Sequence, residues 1–402
     1  MELNEMLSKA VALGASDIHL KAGLVPVIRV SGNLRPLSPK APVFDAVALK
    51  NIANSMMSSR QRVQFEKNKE LDMSYGVAGV GRFRVNVFHQ RGTVRIVIRH
   101  LAQDVPQLDD LGLPPMLKKF ADFERGLVLI TGVTGSGKST TLAALIDYIN
   151  RNKSKHILTI EDPIEYVIRD RKSLITQREL GSDTDSFAGA LRGALRQDPD
   201  VILIGEMRDV DTINIALTAA ETGHLVFSTL HTGDAAETIN RVLSAYPALQ
   251  QTQIRLQLAA SLKAIVSQRL ARKSGGQGRV PAVEILINTP RISEMIVDPN
   301  KTKLITQAIE EGVEHYEMQS YDQSLMKLLS GGLIDYNEAL KLSTNPENFA
   351  LRLKGITSQG GYKWSNFENT HSGESQVTQT GTKIELELFT NHETPDPAKR
   401  KK

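Results

Sequence analysis

Not one cysteine occurs among the 402 residues, which excludes disulfides and thiolate-ligated zinc together. No apolar run approaches the roughly 18 residues of a membrane-spanning helix, and Met1-Glu2-Leu3-Asn4-Glu5 has neither the basic nor the apolar region of a signal peptide. The chain is therefore expected in the cytoplasm, free to dock on a membrane complex. Excess charge is scarce as well: 49 Lys and Arg against 45 Asp and Glu leave a formal +4. That excess is too small over this length to call for a nucleic-acid partner, and none is expected. The length exceeds one hydrophobic core, so two domains and a tail are expected.

What is present centres on Gly132-Val133-Thr134-Gly135-Ser136-Gly137-Lys138-Ser139, which fits G-x-x-x-x-G-K-[ST] at every fixed position. A short apolar run at 127–130 reads as a buried strand before it, and the stretch from Thr140 onward reads as a helix start after it. In that setting the glycines turn backbone N–H groups toward phosphates, Lys138 reaches the β and γ phosphates of a nucleoside triphosphate, and Ser139 supplies a hydroxyl ligand to Mg²⁺.

Taken in order, the chain opens with Asn4 placed to cap a helix whose apolar positions Met6, Leu7, Ala10, Val11 and Leu13 follow helical spacing. Residues 25–37 alternate around Ser31-Gly32-Asn33 as a β-hairpin, residues 45–68 look helical, and strand-like segments return at 71–101. Residues 1–101 thus read as a small α+β domain. Its Arg82, Arg84, Arg91, Arg95 and Arg99 are solvated strand residues, or one or two of them are arginines that reach a nucleotide held elsewhere. Pro106, Pro114 and Pro115 mark 102–116 as an interdomain linker and hinge.

From Arg125 the pattern becomes strand, loop, helix, repeated. The runs at 127–130, 156–160, 201–204 and 225–230 are apolar without alternation, as in strands buried on both faces of a parallel sheet. The fold class is therefore α/β. Helical patterns follow at 235–245 and 249–271, a strand-like run at 280–287, and further helices to about Gly355; the nucleotide-binding domain is placed at 117–356. Residues 357–402 turn to Ser, Thr, Gly and Asn, with six basic residues balancing six acidic ones, and read as a largely disordered tail. Within it, Trp364 and the alternating Ile384, Leu386 and Leu388 are short docking elements or uncommitted residues.

Two acidic groups follow apolar strands. Glu206 ends Val201-Ile202-Leu203-Ile204-Gly205-Glu206, where a carboxylate facing the phosphate loop orients or deprotonates an attacking water, or holds Mg²⁺ through one. In Glu161-Asp162-Pro163-Ile164-Glu165, Glu161 is expected to serve the metal or its water shell, while Asp162 and Glu165 shape the loop. His224 and His231 bracket the run 225–230 and are expected to sense the γ-phosphate. A metal pair does not fit them, since the intervening strand holds them more than ~20 Å apart.

With these groups in place the chain resembles the secretion and type IV pilus motor ATPases, and within them the PilT-type retraction ATPases, over about residues 1–355. The family motifs stand as Gly132 to Ser139 (Walker A), Ile160-Glu161-Asp162-Pro163-Ile164-Glu165 (Asp box), Ile204-Gly205-Glu206-Met207-Arg208-Asp209 (Walker B), and Glu221-Thr222-Gly223-His224 through Thr229-Leu230-His231-Thr232 (His box). The resemblance implies a PAS-like N-terminal domain joined to a RecA-like P-loop ATPase core, assembled as a homo-hexamer. It further implies ATP and Mg²⁺ as ligands, an inner-membrane pilus platform protein as partner, and a second retraction ATPase as another. The protein would sit peripherally at the cytoplasmic side of the inner membrane. Basic residues near the ATP carry over as Arg82, Arg95 and Arg279.

One segment departs from that family. Its signature Ala-Ile-Arg-Asn-Leu-Ile-Arg-Glu stands here as Arg291-Ile292-Ser293-Glu294-Met295-Ile296-Val297-Asp298, which keeps the apolar spacing and the terminal acid and lacks both family arginines. The expected function is a hexameric ATP-driven motor for pilus retraction, with a PilU-like accessory motor or a pilus extension or type II secretion ATPase as alternative. Extension and secretion relatives usually add an N-terminal domain and a four-cysteine zinc site, and this chain starts at the PAS-like segment without cysteine. A nucleotide-gated regulator without productive turnover is the reading from another class.

Overall fold

Strict alternation of apolar and polar residues builds the first sheet. The computed structural model describes residues 2–101 and 105–353. Strands β1 (Asp17–Leu20), β2 (Val27–Val30), β3 (Asn33–Pro36), β4 (Glu70–Val77), β5 (Gly81–Gln90) and β6 (Thr93–His100) pair antiparallel in the order β3-β2-β1-β6-β5-β4. Phe83, Val85 and Val87 of β5 and Val94, Ile96 and Ile98 of β6 are buried in one cluster. Met6, Leu7 and Ala10 of the helix Leu3–Ala12, and Leu49, Ala53 and Met56 of the helix Ala46–Met56, join the same cluster. One face of the sheet is thus covered, as the two-residue period requires. The hairpin at Ser31-Gly32 closes with both residues at positive φ, +49° and +85°, the geometry that matches strand twist.

Asn4 does not cap the first helix. Glu2 stands at that position, and the Asn4 Oδ1 instead accepts from the Tyr75 hydroxyl of β4 at 3.0 Å. A tertiary partner has taken over a side chain that the local pattern assigned to the backbone.

The second sheet holds β7 (Gly126–Thr131), β8 (His156–Glu161), β9 (Leu174–Glu179), β10 (Val201–Ile204), β11 (Leu225–Leu230), β12 (Leu262–Arg272) and β13 (Arg279–Ile287) in the order β13-β12-β7-β11-β10-β8-β9. All neighbours are parallel except β12 and β13. Alternate residues of β7 feed different cores: Leu127 and Leu129 pack on one face of the sheet, Val128 and Ile130 on the other. This is why its strands read as unbroken apolar runs. The result is an α/β fold with a mixed, mainly parallel sheet, preceded by an antiparallel-sheet domain; both lie in one compact unit, Met1–Lys354.

The helical pattern expected over 249–271 breaks in two. A helix spans Ala248–Ser261, and Leu262 onward is β12, inserted between β7 and β13. A buried apolar run has no polar face to reveal its period, so only the neighbouring strands decide between helix and strand. Strand β9, whose residues are mostly half-buried at the sheet edge, carried no such run and is visible only in the fold.

Between the sheets, Leu108 is buried with Leu117 and Phe120 against the core that contains Val128 and Ile130, so the stretch from 105 lies on the large sheet. The readings on 357–402, including Trp364 and Ile384 to Leu388, fall outside the described residues.

Candidate active site

Parallel strands bring their carboxyl ends to one edge, and four of them deliver the site's residues there. The loop Gly132 to Gly137 leaves β7 and enters the helix Lys138–Asn152, Glu161 ends β8, Glu206 lies just past β10, and His231 just past β11. Thr134, Gly135, Gly137 and Lys138 of that loop and helix, with Glu161, Glu206 and His231, and with Ser139, Thr140, Tyr166, Arg208 and Arg279, line a cleft of about 470 Å³.

The loop's glycines are sterically enforced. Gly132 sits at φ +142°, and a Cβ there would lie 2.4 Å from the Gln268 carbonyl oxygen and 2.6 Å from Ser136 Oγ. A Cβ on Gly137, at φ +92°, would lie 2.7 Å from Gln268 Nε2. Backbone and β12 therefore approach closely under the loop, and Gln268 also accepts from Thr141 Oγ1 at 2.8 Å. Gln268 escaped the sequence reading because its strand looked helical.

Lys138 is only 8% exposed and donates to the carbonyls of Gly132 at 2.7 Å and Val133 at 3.1 Å. Burial lowers its pKa, and the carboxylates of Glu206 and Glu165 oppose that shift. Ser136 Oγ is buried with no hydrogen-bond partner among the described residues. An orphaned hydroxyl and a buried ammonium resting on its own loop carbonyls fit a phosphate group. Val133, Thr134 and Gly135 are exposed and Ser139 opens onto the cleft; Thr140 Oγ1 lies 3.1 Å from the Tyr166 hydroxyl.

Glu206 is held from two sides. Its Oε2 lies 2.7 Å from Arg208 Nη2 and its Oε1 lies 3.4 Å from His231 Nε2. Burial raises its pKa, but hydrogen bonding and charge from Arg208, with His231 adding to both, bring the carboxyl below its ordinary value. Glu161 behaves oppositely: burial pushes its pKa up, although Oε1 accepts from Thr159 Oγ1 at 2.6 Å and Gln177 Nε2 at 3.1 Å. Two carboxylates on one cleft are thus pushed apart in acidity, Glu206 toward the charged form and Glu161 toward the neutral one. Among the described residues no group of three or more His, Asp or Glu forms a metal cage. Mg²⁺ commonly takes few protein ligands and completes its shell with substrate phosphates and water, and Ser139 with Glu161 matches that donor set.

The two expected histidines separate. His231 faces the cleft, whereas His224 precedes β11 at the opposite sheet edge, with Nδ1 3.0 Å from the Ala219 carbonyl, and does not line it. A γ-phosphate sensor in this chain's own cleft therefore involves His231 alone: a six-residue strand puts its flanks on opposite edges. The arginines separate too. Arg279 lines the cleft within this chain. Arg82 is 2.9 Å from Glu179, and Arg95 bonds Gln90 Oε1 at 3.2 Å and stacks over Phe88; neither lines the cleft. Arg208, two residues beyond Glu206, was part of a quoted motif without an assigned role; its nearness to the acid was the available signal.

Comparison with known proteins agrees with this geometry. The Type II/IV secretion system protein family matches residues 1–330. The type IV pilus retraction ATPase PilT of Pseudomonas aeruginosa is 47% identical over 349 residues, spanning 87% of this chain and 100% of that protein. The type IV pilus ATPase PilU of the same organism is 40% identical over 357 residues, 88% of this chain and 92% of that one. The crystal structure of the pilus retraction motor PilT with bound ADP superposes with a TM-score of 0.80 at 47% identity, covering 86% of this chain and 98% of that one. The chain belongs to the type II/IV secretion system protein family, as a PilT-type pilus retraction ATPase.

Proposed function

We propose that this chain is the ATP-hydrolysing motor that retracts a type IV pilus and so drives twitching motility. Identity to PilT along that protein's whole length carries the reading, because it embraces the antiparallel-sheet domain as well as the nucleotide cleft. In this reading the N-terminal sheet is a PAS-like domain, the large sheet is a RecA-like core, and six copies form a ring. The ring works at the cytoplasmic face of the inner membrane against a platform protein, with a second retraction ATPase beside it. No described helix is long and apolar enough to cross a membrane, so docking would be peripheral.

Lys138 leaves the Gly132 and Val133 carbonyls for the β and γ phosphates, and the loop N–H groups and Ser136 take the remaining oxygens. Glu206 accepts the proton of the attacking water, with His231 Nε2 on its other oxygen. Ser139, and Glu161 through a water, would hold Mg²⁺, which would supply neutralisation of phosphate charge. Arg279 adds positive charge from the same chain.

Ser293 and Val297, in place of the family arginines, support an accessory PilU-like motor as the second reading. Purified protein with Mg²⁺ should hydrolyse ATP, and Lys138→Ala should not; equal rates sink the motor. A deletion strain should carry more surface pili without twitching, whereas bald cells would assign it to extension.

A further inference from the structure

Glu179 ends the edge strand β9, is 2% exposed, and is used by neither the phosphate loop nor the acids around it. Its Oε2 accepts from Ser74 Oγ at 2.8 Å, Arg82 Nη2 at 2.9 Å and the Ile164 backbone N–H at 3.2 Å; Oε1 accepts from Ser182 Oγ at 3.3 Å. Ser74 and Arg82 belong to β4 and β5 of the N-terminal sheet, while Ile164 belongs to the loop that carries Glu161 and Glu165. One buried carboxylate therefore ties the N-terminal domain to the wall of the nucleotide cleft.

That wall is thin. Asp162, Pro163 and Arg208 line both the nucleotide cleft and a second cavity of about 360 Å³, which Glu179 and Arg84 also line. Arg82 spends a single nitrogen on Glu179, and its Nε is buried without a partner. For a guanidinium with an orphaned donor, one loop away from the nucleotide cleft, the phosphate of a bound nucleotide would be a competing anion. Among the described residues Arg82 is the one cation paired with Glu179, so its departure would leave a buried carboxylate without a countercharge.

We propose that Glu179 is a positioning residue that latches Arg82, and with it the N-terminal domain, on the far side of the 161–165 loop until the terminal phosphate of ATP draws Arg82 away. The proposal rests on the ATPase reading above. Release of the latch frees β4 and β5, and the Ile164 N–H keeps the loop in register with Glu179 while they move.

Binding of fluorescent mant-ATP and mant-ADP to the full chain tests this without turnover. Glu179→Gln keeps the volume and an acceptor oxygen and loses the charge. It should bind mant-ATP about tenfold more tightly, as expected when a latched fraction of roughly nine-tenths is released. Affinity for mant-ADP should stay put, and the gain should vanish in an Arg82→Gln background. Equal shifts for both nucleotides, no gain, or a gain that survives Arg82→Gln overturns the latch. Absence of all nucleotide binding by the unsubstituted chain sinks the ATPase reading and the latch with it. Should Glu179→Gln fail to fold, spin labels on Val63→Cys and Leu174→Cys serve, because both sites are exposed and the chain has no other cysteine. Their separation should change with a non-hydrolysable ATP analogue and not with ADP; an unchanged distance overturns the proposal.

Discussion

Arg208 Nη2 lies 2.7 Å from Glu206 Oε2, so the acid proposed to activate water is held toward its carboxylate form by a neighbour two residues along the chain. Arg208 supplies the largest of the interactions that lower the Glu206 pKa, against a burial contribution that raises it. Arg208→Gln leaves burial less opposed, so the pKa rises. The acid limb of kcat/KM for ATP should move to higher pH. A pH–rate profile superimposable on that of the unsubstituted chain would dissociate Glu206 from the limb.

Glu206→Gln should retain nucleotide binding and lose turnover by about 10²–10⁴-fold, the usual contribution of a positioned general base. Equilibrium binding of a labelled nucleotide, set beside steady-state phosphate release, separates the two. Substantial residual hydrolysis would remove Glu206 from the base role.

Gly132→Ala and Gly135→Ala should behave differently although both break the loop pattern. At Gly132 a Cβ meets backbone at 2.4 Å in a region of φ and ψ that only glycine occupies freely, whereas at Gly135 nothing lies within 4 Å. Gly132→Ala should abolish nucleotide binding with the far-ultraviolet circular dichroism intact. Gly135→Ala should cost about 1–2 kcal/mol of strain and keep measurable binding. Equal losses would mean that the Gly132 contact is not what shapes the loop.

Glu284 is buried beneath the start of the helix Ala235–Ser244, where Oε1 accepts from the Ala235 N–H at 2.7 Å. Burial pushes its pKa from an ordinary 4.5 to about 8. The folded chain thus binds this proton more tightly than the unfolded chain, so stability falls as pH rises through the window from 4.5 to about 8. The loss is on the order of 5 kcal/mol at most. Glu284→Gln keeps the acceptor and should flatten that slope, with a higher unfolding midpoint at pH 8.5 than the unsubstituted chain. Parallel pH curves for the two proteins would show that Glu284 does not titrate in this window.

The segment Pro290–Val297 shows why part of a divergent motif was readable. Ile292, Met295 and Ile296 are buried against the large core, and the Ile296 carbonyl accepts from Arg255 Nη1 at 2.7 Å. Those positions keep their apolar spacing because packing demands it. Ser293 is half-buried with its hydroxyl 3.3 Å from the Ala259 carbonyl, and Val297 is exposed, so the two replaced arginines were not core residues.

The phosphate loop, the strand-end acids and the buried strands of the large sheet were legible without coordinates, because each depends on short-range order: a glycine spacing, a carboxylate after an apolar run, a missing polar face. Arg208, Gln268 and Glu179 were not, nor was the separation of His231 from His224. Their roles arise from which strands lie side by side and which edge each loop reaches, and strand order is set by burial between distant segments. Arg82 shows the difference most plainly. Its chemistry was readable as an arginine on a strand face, but its partner stands 97 positions away, and only the packing of one sheet against the loops of the other brings the two charges together.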